Sequence, residues 1–184
     1  MKRTLALAVA LFLSAGSALA DTTTQRWKPG WDVLGEPLNL TTSSVKWSMS
    51  ATRKLTITYT LIGATPNKLH QVGLHVFCTT FPTTFGQFPV GFGGAPAGTC
   101  TSITRQGVTR SLASVDLGVV TTDRNGKGSF KVVIGPIAPG TYDVEFHVRV
   151  GAGCNLAGGG GSGQCPVDFQ SPGPYGTDTT IIVP

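Results

Sequence analysis

The chain has 184 residues with 40% hydrophobic and 12% charged side chains, the charged share being about half that of an ordinary soluble protein. Glycine and proline number 25 and 12, and there is too little Ala, Glu, Lys and Leu after residue 20 for long helices or coiled coils. The net charge is +5, of which Lys2 and Arg3 supply two, and the remaining basic residues are scattered without a run of four, which argues against a nucleic-acid-binding protein.

In chain order, Lys2-Arg3, an apolar run from Leu5 to Leu13, and the small-x-small triplet Ala18-Leu19-Ala20 form the pattern of a cleaved secretory signal peptide over residues 1–20. The apolar run is too short for a membrane anchor, which needs roughly 20 residues. No later stretch is long enough to span a bilayer as a helix. With 8% aromatic residues the chain does not suggest an outer-membrane barrel with its aromatic girdles. The expected location is secreted, periplasmic or extracellular.

Residues 21–37 carry two prolines and two glycines and are expected to be irregular. Within them, Trp27 and Trp31 either cover a sheet edge or form a stacking platform for a sugar. Asn39-Leu40-Thr41 is an acceptor triplet for N-glycosylation if the host glycosylates. Val45, Trp47 and Met49 share one parity, and Trp47 is expected in the core. Leu55, Ile57, Tyr59 and Leu61 then alternate with Lys54, Thr56, Thr58 and Thr60, the period of two that marks a half-buried strand. Ser50–Arg53 and Gly63–Lys68 are turns. His70, Val72, Leu74 and Val76 alternate with Gln71, Gly73, His75 and Phe77.

A long loop is expected over 79–99, and Phe81, Phe85, Phe88 and Phe92 within it either fold back on the core or form an exposed apolar partner surface. A short strand over 101–109 and a strand over 112–120 follow, with Val115, Leu117 and Val119 on one side. Asp123-Arg124-Asn125-Gly126-Lys127-Gly128 reads as a tight hairpin turn into the strand of Phe130, Val132 and Ile134. Beyond Pro139-Gly140, Tyr142, Val144, Phe146, Val148 and Val150 alternate with Asp143, Glu145, His147 and Arg149, one face for a core and the other for water. Residues 151–174 read as loop, and 177–183 as a final strand.

This is an all-β protein: about eight strands in two packed antiparallel sheets, one β-sandwich domain over 38–184 after the signal peptide. The residues Thr121-Thr122-Asp123-x-Asn125-Gly126-x-Gly128-x-Phe130 and Ile137-Ala138-Pro139-Gly140-Thr141-Tyr142-Asp143-Val144 resemble a pattern of secreted immunoglobulin-like and prealbumin-like β-sandwich modules. The resemblance implies a Pro-Gly turn that launches a core strand through its tyrosine, and a role in adhesion, structure or ligand binding. It supplies no catalytic residues.

Four cysteines in an exported chain read as two disulfides with three possible connectivities. The local pairs Cys78–Cys100 and Cys154–Cys165 are preferred, because each brackets a Gly/Pro-rich stretch. Their spacing does not suit zinc, whose ligands come in closer pairs. Gly158–Gly161 lacks the Lys-Ser/Thr and helix of a phosphate loop. No nucleophile elbow is present. Asp143 and Glu145 lie about 7 Å apart on one strand face, the spacing of any amphipathic strand. If their strands are neighbours, His75 and His147, with Glu145, offer an alternative Cu or Zn site.

The expectation is therefore a secreted, non-catalytic, cofactor-free module that binds an unidentified protein or glycan partner, and no nucleic acid. Its binding loops are 79–99, 121–127 and 151–174, placed at one end if the strands simply alternate in direction. The alternatives are the small metal-binding protein and a self-assembling cell-surface or matrix subunit.

Overall fold

A computed structural model describes residues 21–29, 36–77, 101–105, 108–149, 167–171 and 179–184. The alternating stretches become strands because β-branched and aromatic side chains pack well on a pleated surface, and each strand can bury one parity. Among the described residues eleven strands form: β1 (Thr23–Arg26), β2 (Lys28–Pro29), β3 (Ser44–Met49), β4 (Leu55–Leu61), β5 (Leu69–Phe77), β6 (Thr101–Arg105), β7 (Val108–Thr121), β8 (Gly128–Ile134), β9 (Gly140–Arg149), β10 (Val167–Ser171) and β11 (Thr179–Val183). No helix occurs among the described residues, and so none is long and apolar enough to cross a membrane.

The strands assemble into two antiparallel sheets. The smaller has the order β1-β3-β4-β8, and the larger β2-β10-β9-β5-β7-β6. β11 joins the larger sheet along the first half of β9, on residues 140–144, while β10 pairs with its second half. The inner faces share one core. Trp47 of the small sheet packs against Phe146 of the large one at 5.2 Å, and Tyr59 meets the same ring edge-on at 6.3 Å. Val45, Leu55, Ile57 and Leu61 face Val72, Leu74, Val76, Val115, Leu117, Val144 and Val148 in this core. Each such side chain contributes about 1.5–3 kcal/mol on burial.

Several expectations are corrected. The segment 21–37 is not wholly irregular: β1 pairs with β3 in one sheet and β2 with β10 in the other, so the chain crosses between sheets within a few residues. Pro29 is tolerated because β2 is an edge strand, where a missing N–H costs no ladder bond. The stretch 151–174 contains β10. The Asp123–Lys127 turn does not close a hairpin within one sheet, since β7 pairs with β5 and β6, and β8 with β4. It is a corner from one layer to the other. Asp123 Oδ1 holds it by accepting from the N–H groups of Asn125 and Lys127, and Gly126 takes the positive φ of +69° that the turn requires.

A β-bulge changes the reading of β7. The register slips between Val72 and Gly73, opposite Gly118 and Asp116, and the extra residue reverses the inward parity beyond Leu117. Val120, not Val119, therefore enters the core. The bulge interrupts the ladder, and Tyr59 reaches across from the small sheet to donate its hydroxyl to the Gly73 carbonyl at 2.7 Å.

The register also separates the expected loops. Phe77 pairs with Leu112, whereas Leu69 pairs with Thr121 and Gln71 with Arg149. The chain thus leaves β5 at one end of the sheet, and leaves β7 and β9 at the other. The three connections do not emerge together, because 121–127 and the exit from β9 lie opposite the exit from β5.

Candidate functional site

The outer parity of the large sheet is where structure and alternation part company. Register places Glu145, His75 and Ser114 side by side across β9, β5 and β7, then His147, Gly73 and Asp116 in the next row, then Arg149, Gln71 and Val119. These were expected to face water. Instead Glu145 and His147 are 0% exposed, His75 2% and Arg149 5%, with Gln71 also buried. Buried polar groups must bond to one another or pay a desolvation cost of several kcal/mol, so their contacts define what the cluster can do.

His75 is the centre. Its Nδ1 lies 3.1 Å from Glu145 Oε1, and its Nε2 lies 2.8 Å from Arg149 Nη2. A guanidinium has donors and no acceptor, so Nε2 must accept and the ring proton must sit on Nδ1, donated to Glu145. His75 is thus neutral. Burial holds its pKa well below 6.5, and the nearby Arg149 charge lowers it further. The same Nη2 donates to Ser114 Oγ at 3.0 Å, and Nη1 approaches Asp116 Oδ1 at 3.9 Å. Burial lowers the Arg149 pKa, opposed by the charges of Asp116 and Glu145.

Arg149 starts in the third row and its head sits in the first, so its side chain crosses the middle row, where β5 carries only Gly73. The second imidazole also depends on that glycine. A Cβ there would come within 2.7 Å of His147 Nε2 and would run into the Val115 carbonyl oxygen. His147 tilts against His75 with ring centroids 4.3 Å apart. Neither of its nitrogens has a hydrogen-bond partner among the described residues. Its pKa is also well below 6.5, through burial first and then the Arg149 and His75 charges.

The structure therefore brings together His75, His147 and Glu145, the three residues of the metal alternative, and adds Arg149, Asp116 and Ser114. Both His75 nitrogens are engaged, one by a cation, and a metal at Nε2 would have to displace the guanidinium. No group of three or more His, Cys, Asp or Glu side chains among the described residues is arranged to hold a metal ion. Ser114, His75 and Glu145 form a row with the composition of a hydrolytic triad, but one Arg149 nitrogen binds both Ser114 Oγ and His75 Nε2. The Asp143–Glu145 pair is divided by environment: Asp143 accepts from the exposed Thr180 hydroxyl at 2.8 Å, while Glu145 is fully buried.

Trp27 is no exposed platform. It is 1% exposed, stacks on Tyr59 at 5.8 Å, and donates its indole N–H to the Thr60 carbonyl at 3.2 Å. Trp31, Phe81, Phe85, Phe88 and Phe92, the four cysteines and residues 1–20, expected to be a signal peptide, lie outside the described residues. Sequence reasoning missed Arg149, Asp116 and Ser114. Arg149 shares the parity of His147 and Glu145 and was legible as their neighbour, whereas Ser114 and Asp116 required the register of β7 against β5.

No family model, no curated protein and no solved structure matches this chain.

Proposed function

We propose that the chain is an exported, non-catalytic β-sandwich module of the immunoglobulin-like class that binds a partner protein or glycan through its loops. Two antiparallel sheets around a shared core support the architecture. So does Tyr142, which is buried at the start of β9 and donates its hydroxyl back to the Ala138 carbonyl at 2.8 Å. That is the arrangement of the tyrosine corner in immunoglobulin-like domains.

The observation that carries the non-catalytic reading is the position of Arg149. Its guanidinium uses the lone pair of His75 Nε2 that a general base would need, and holds Ser114 Oγ besides. The chemistry of the cluster is spent on locking β9, β5 and β7 together. We assign partner binding to the loops, and the Phe81/Phe85/Phe88/Phe92 segment, for which a Cys78–Cys100 disulfide is the expected closure, has the composition of a partner surface.

Deleting residues 82–98 tests this. The expected result is an intact cooperative unfolding transition with loss of the partner recovered by crosslinking in the native envelope. An unchanged crosslinked partner, or hydrolytic turnover by the wild-type protein that Ser114→Ala abolishes, would overturn the proposal.

A further inference from the structure

The small sheet turns a different polar face outward. Its strands β1, β3, β4 and β8 carry no Asp or Glu, and they carry Arg26, Lys46 and Lys131. Register aligns Thr24, Lys46, Thr58 and Lys131 in one row across all four strands. Lys54, just before β4, follows the outward parity of Thr56 and Thr58. Lys46, Lys54 and Lys131 are exposed, and among the described residues neither Lys46 nor Lys131 pairs with a carboxylate. A shallow depression of about 210 Å³ lies on this face, lined by Thr22, Lys46, Trp47, Ser48, Thr56, Thr58 and Lys131. Four of the basic residues that look scattered in the chain, Arg26, Lys46, Lys54 and Lys131, thus lie on or beside one sheet.

We infer that this face is a docking surface for an acidic polysaccharide. The argument is charge complementarity joined to shape and hydroxyl chemistry. Four strands at about 4.8 Å spacing make a row roughly 14 Å long, with Lys46 and Lys131 about 9.5 Å apart across Thr58. A surface so broad and open suits an extended chain rather than a compact ligand. Ammonium groups meet carboxylates or sulfates, and the Ser48, Thr56 and Thr58 hydroxyls can both donate to and accept from sugar oxygens. Among the described residues the face has no exposed aromatic ring on which bases would stack, so single-stranded nucleic acid fits it poorly. The only described acid beside it in sequence is Asp21, one residue before Thr22. The inference goes beyond loop-mediated binding and uses a different surface.

The test measures binding of the full exported chain to heparin, polygalacturonate, neutral dextran and phosphatidylglycerol vesicles. Two charge-matched variants are compared: Lys46→Gln/Lys131→Gln on the face, and Lys28→Gln/Lys127→Gln away from it. Salt-sensitive binding to heparin or polygalacturonate is expected, weakened about tenfold by the first pair and less than about twofold by the second, with unchanged circular dichroism. Equal losses in both pairs, no binding to either polyanion, or binding to vesicles alone would overturn the inference. The 82–98 deletion should leave polyanion binding intact. If it does while Lys46→Gln/Lys131→Gln has no effect, this surface fails and the loop proposal is untouched.

Discussion

The two sheets obey the same alternation and put their polar parity to opposite uses. On the small sheet, Lys46, Thr56, Thr58 and Lys131 sit on an open outer face, with hydroxyls, ammoniums and the exposed Val133 on display and no carboxylate on its strands. On the large sheet, Glu145, His147, His75 and Arg149 occupy the equivalent outer positions and are buried. Period-two alternation says which residues share a face. It says nothing about whether that face meets water. What distinguishes the two is composition: the buried face holds an acid, a base and a cation that bond to one another, Glu145, His75 and Arg149, and the polar groups of the open face are ones that water satisfies without help.

Breaking the buried network gives the largest effect. Arg149→Met keeps an unbranched apolar stem and removes the cation that binds His75 Nε2, Ser114 Oγ and Asp116. Losing one partner of a buried ion pair costs about 3–5 kcal/mol, because the remaining charge stays buried. For a chain of this size that is a fall of roughly 6–20 °C in Tm. Thermal unfolding at pH 7 checks it, and a fall under about 2 °C would mean that the cluster carries little of the fold.

Acid should act on the same cluster more gradually. The pKa values of His75 and His147 lie well below 6.5 in the folded chain, and that of His70 is lowered by burial as well. Below pH 6.5 the unfolded chain therefore binds protons that the folded chain refuses, and stability must fall as pH falls. Each imidazole contributes up to about 1.4 kcal/mol per pH unit until its folded form also protonates. Glu36, held below its usual range chiefly by its bond to Lys68 against the cost of burial, adds loss in the same direction once pH drops below about 4.5. Denaturant midpoints between pH 7 and 5 measure the slope, and His75→Gln/His147→Gln should flatten it. A wild-type midpoint constant over that range would show that these imidazoles titrate as they do in solvent.

Much of the fold was legible and part of the site was not, for identifiable reasons. Leu55/Ile57/Tyr59/Leu61 and Tyr142/Val144/Phe146/Val148 announced their strands because one parity is wholly apolar. β1, β2 and β10 did not, since Thr23–Arg26, Lys28–Pro29 and Val167–Ser171 are edge or near-edge segments whose pairing partners are remote in sequence. The bulge at Leu117–Gly118 was hidden because a one-residue slip leaves no composition signal beyond a glycine. His75, His147 and Glu145 could be grouped by parity alone. Arg149 stood on the same strand, yet its role depends on Gly73 leaving the middle row open, which is a fact of register.

The smallest expected effect sharpens the comparison most. Thr58 and Ser114 are both single hydroxyls on central strands at outward parity. Thr58 Oγ1 has no hydrogen-bond partner among the described residues, whereas Ser114 Oγ accepts from Arg149 in the buried cluster. Thr58→Ala should change stability by less than about 0.5 kcal/mol, as open surface positions usually do. Ser114→Ala removes an acceptor for a buried charged donor and should cost about 1.5–3 kcal/mol. Paired urea titrations of the two variants read the difference directly. Equal costs would mean that the two faces are equally wet, and the distinction between an enclosed polar network and an open docking face would fail at its simplest point.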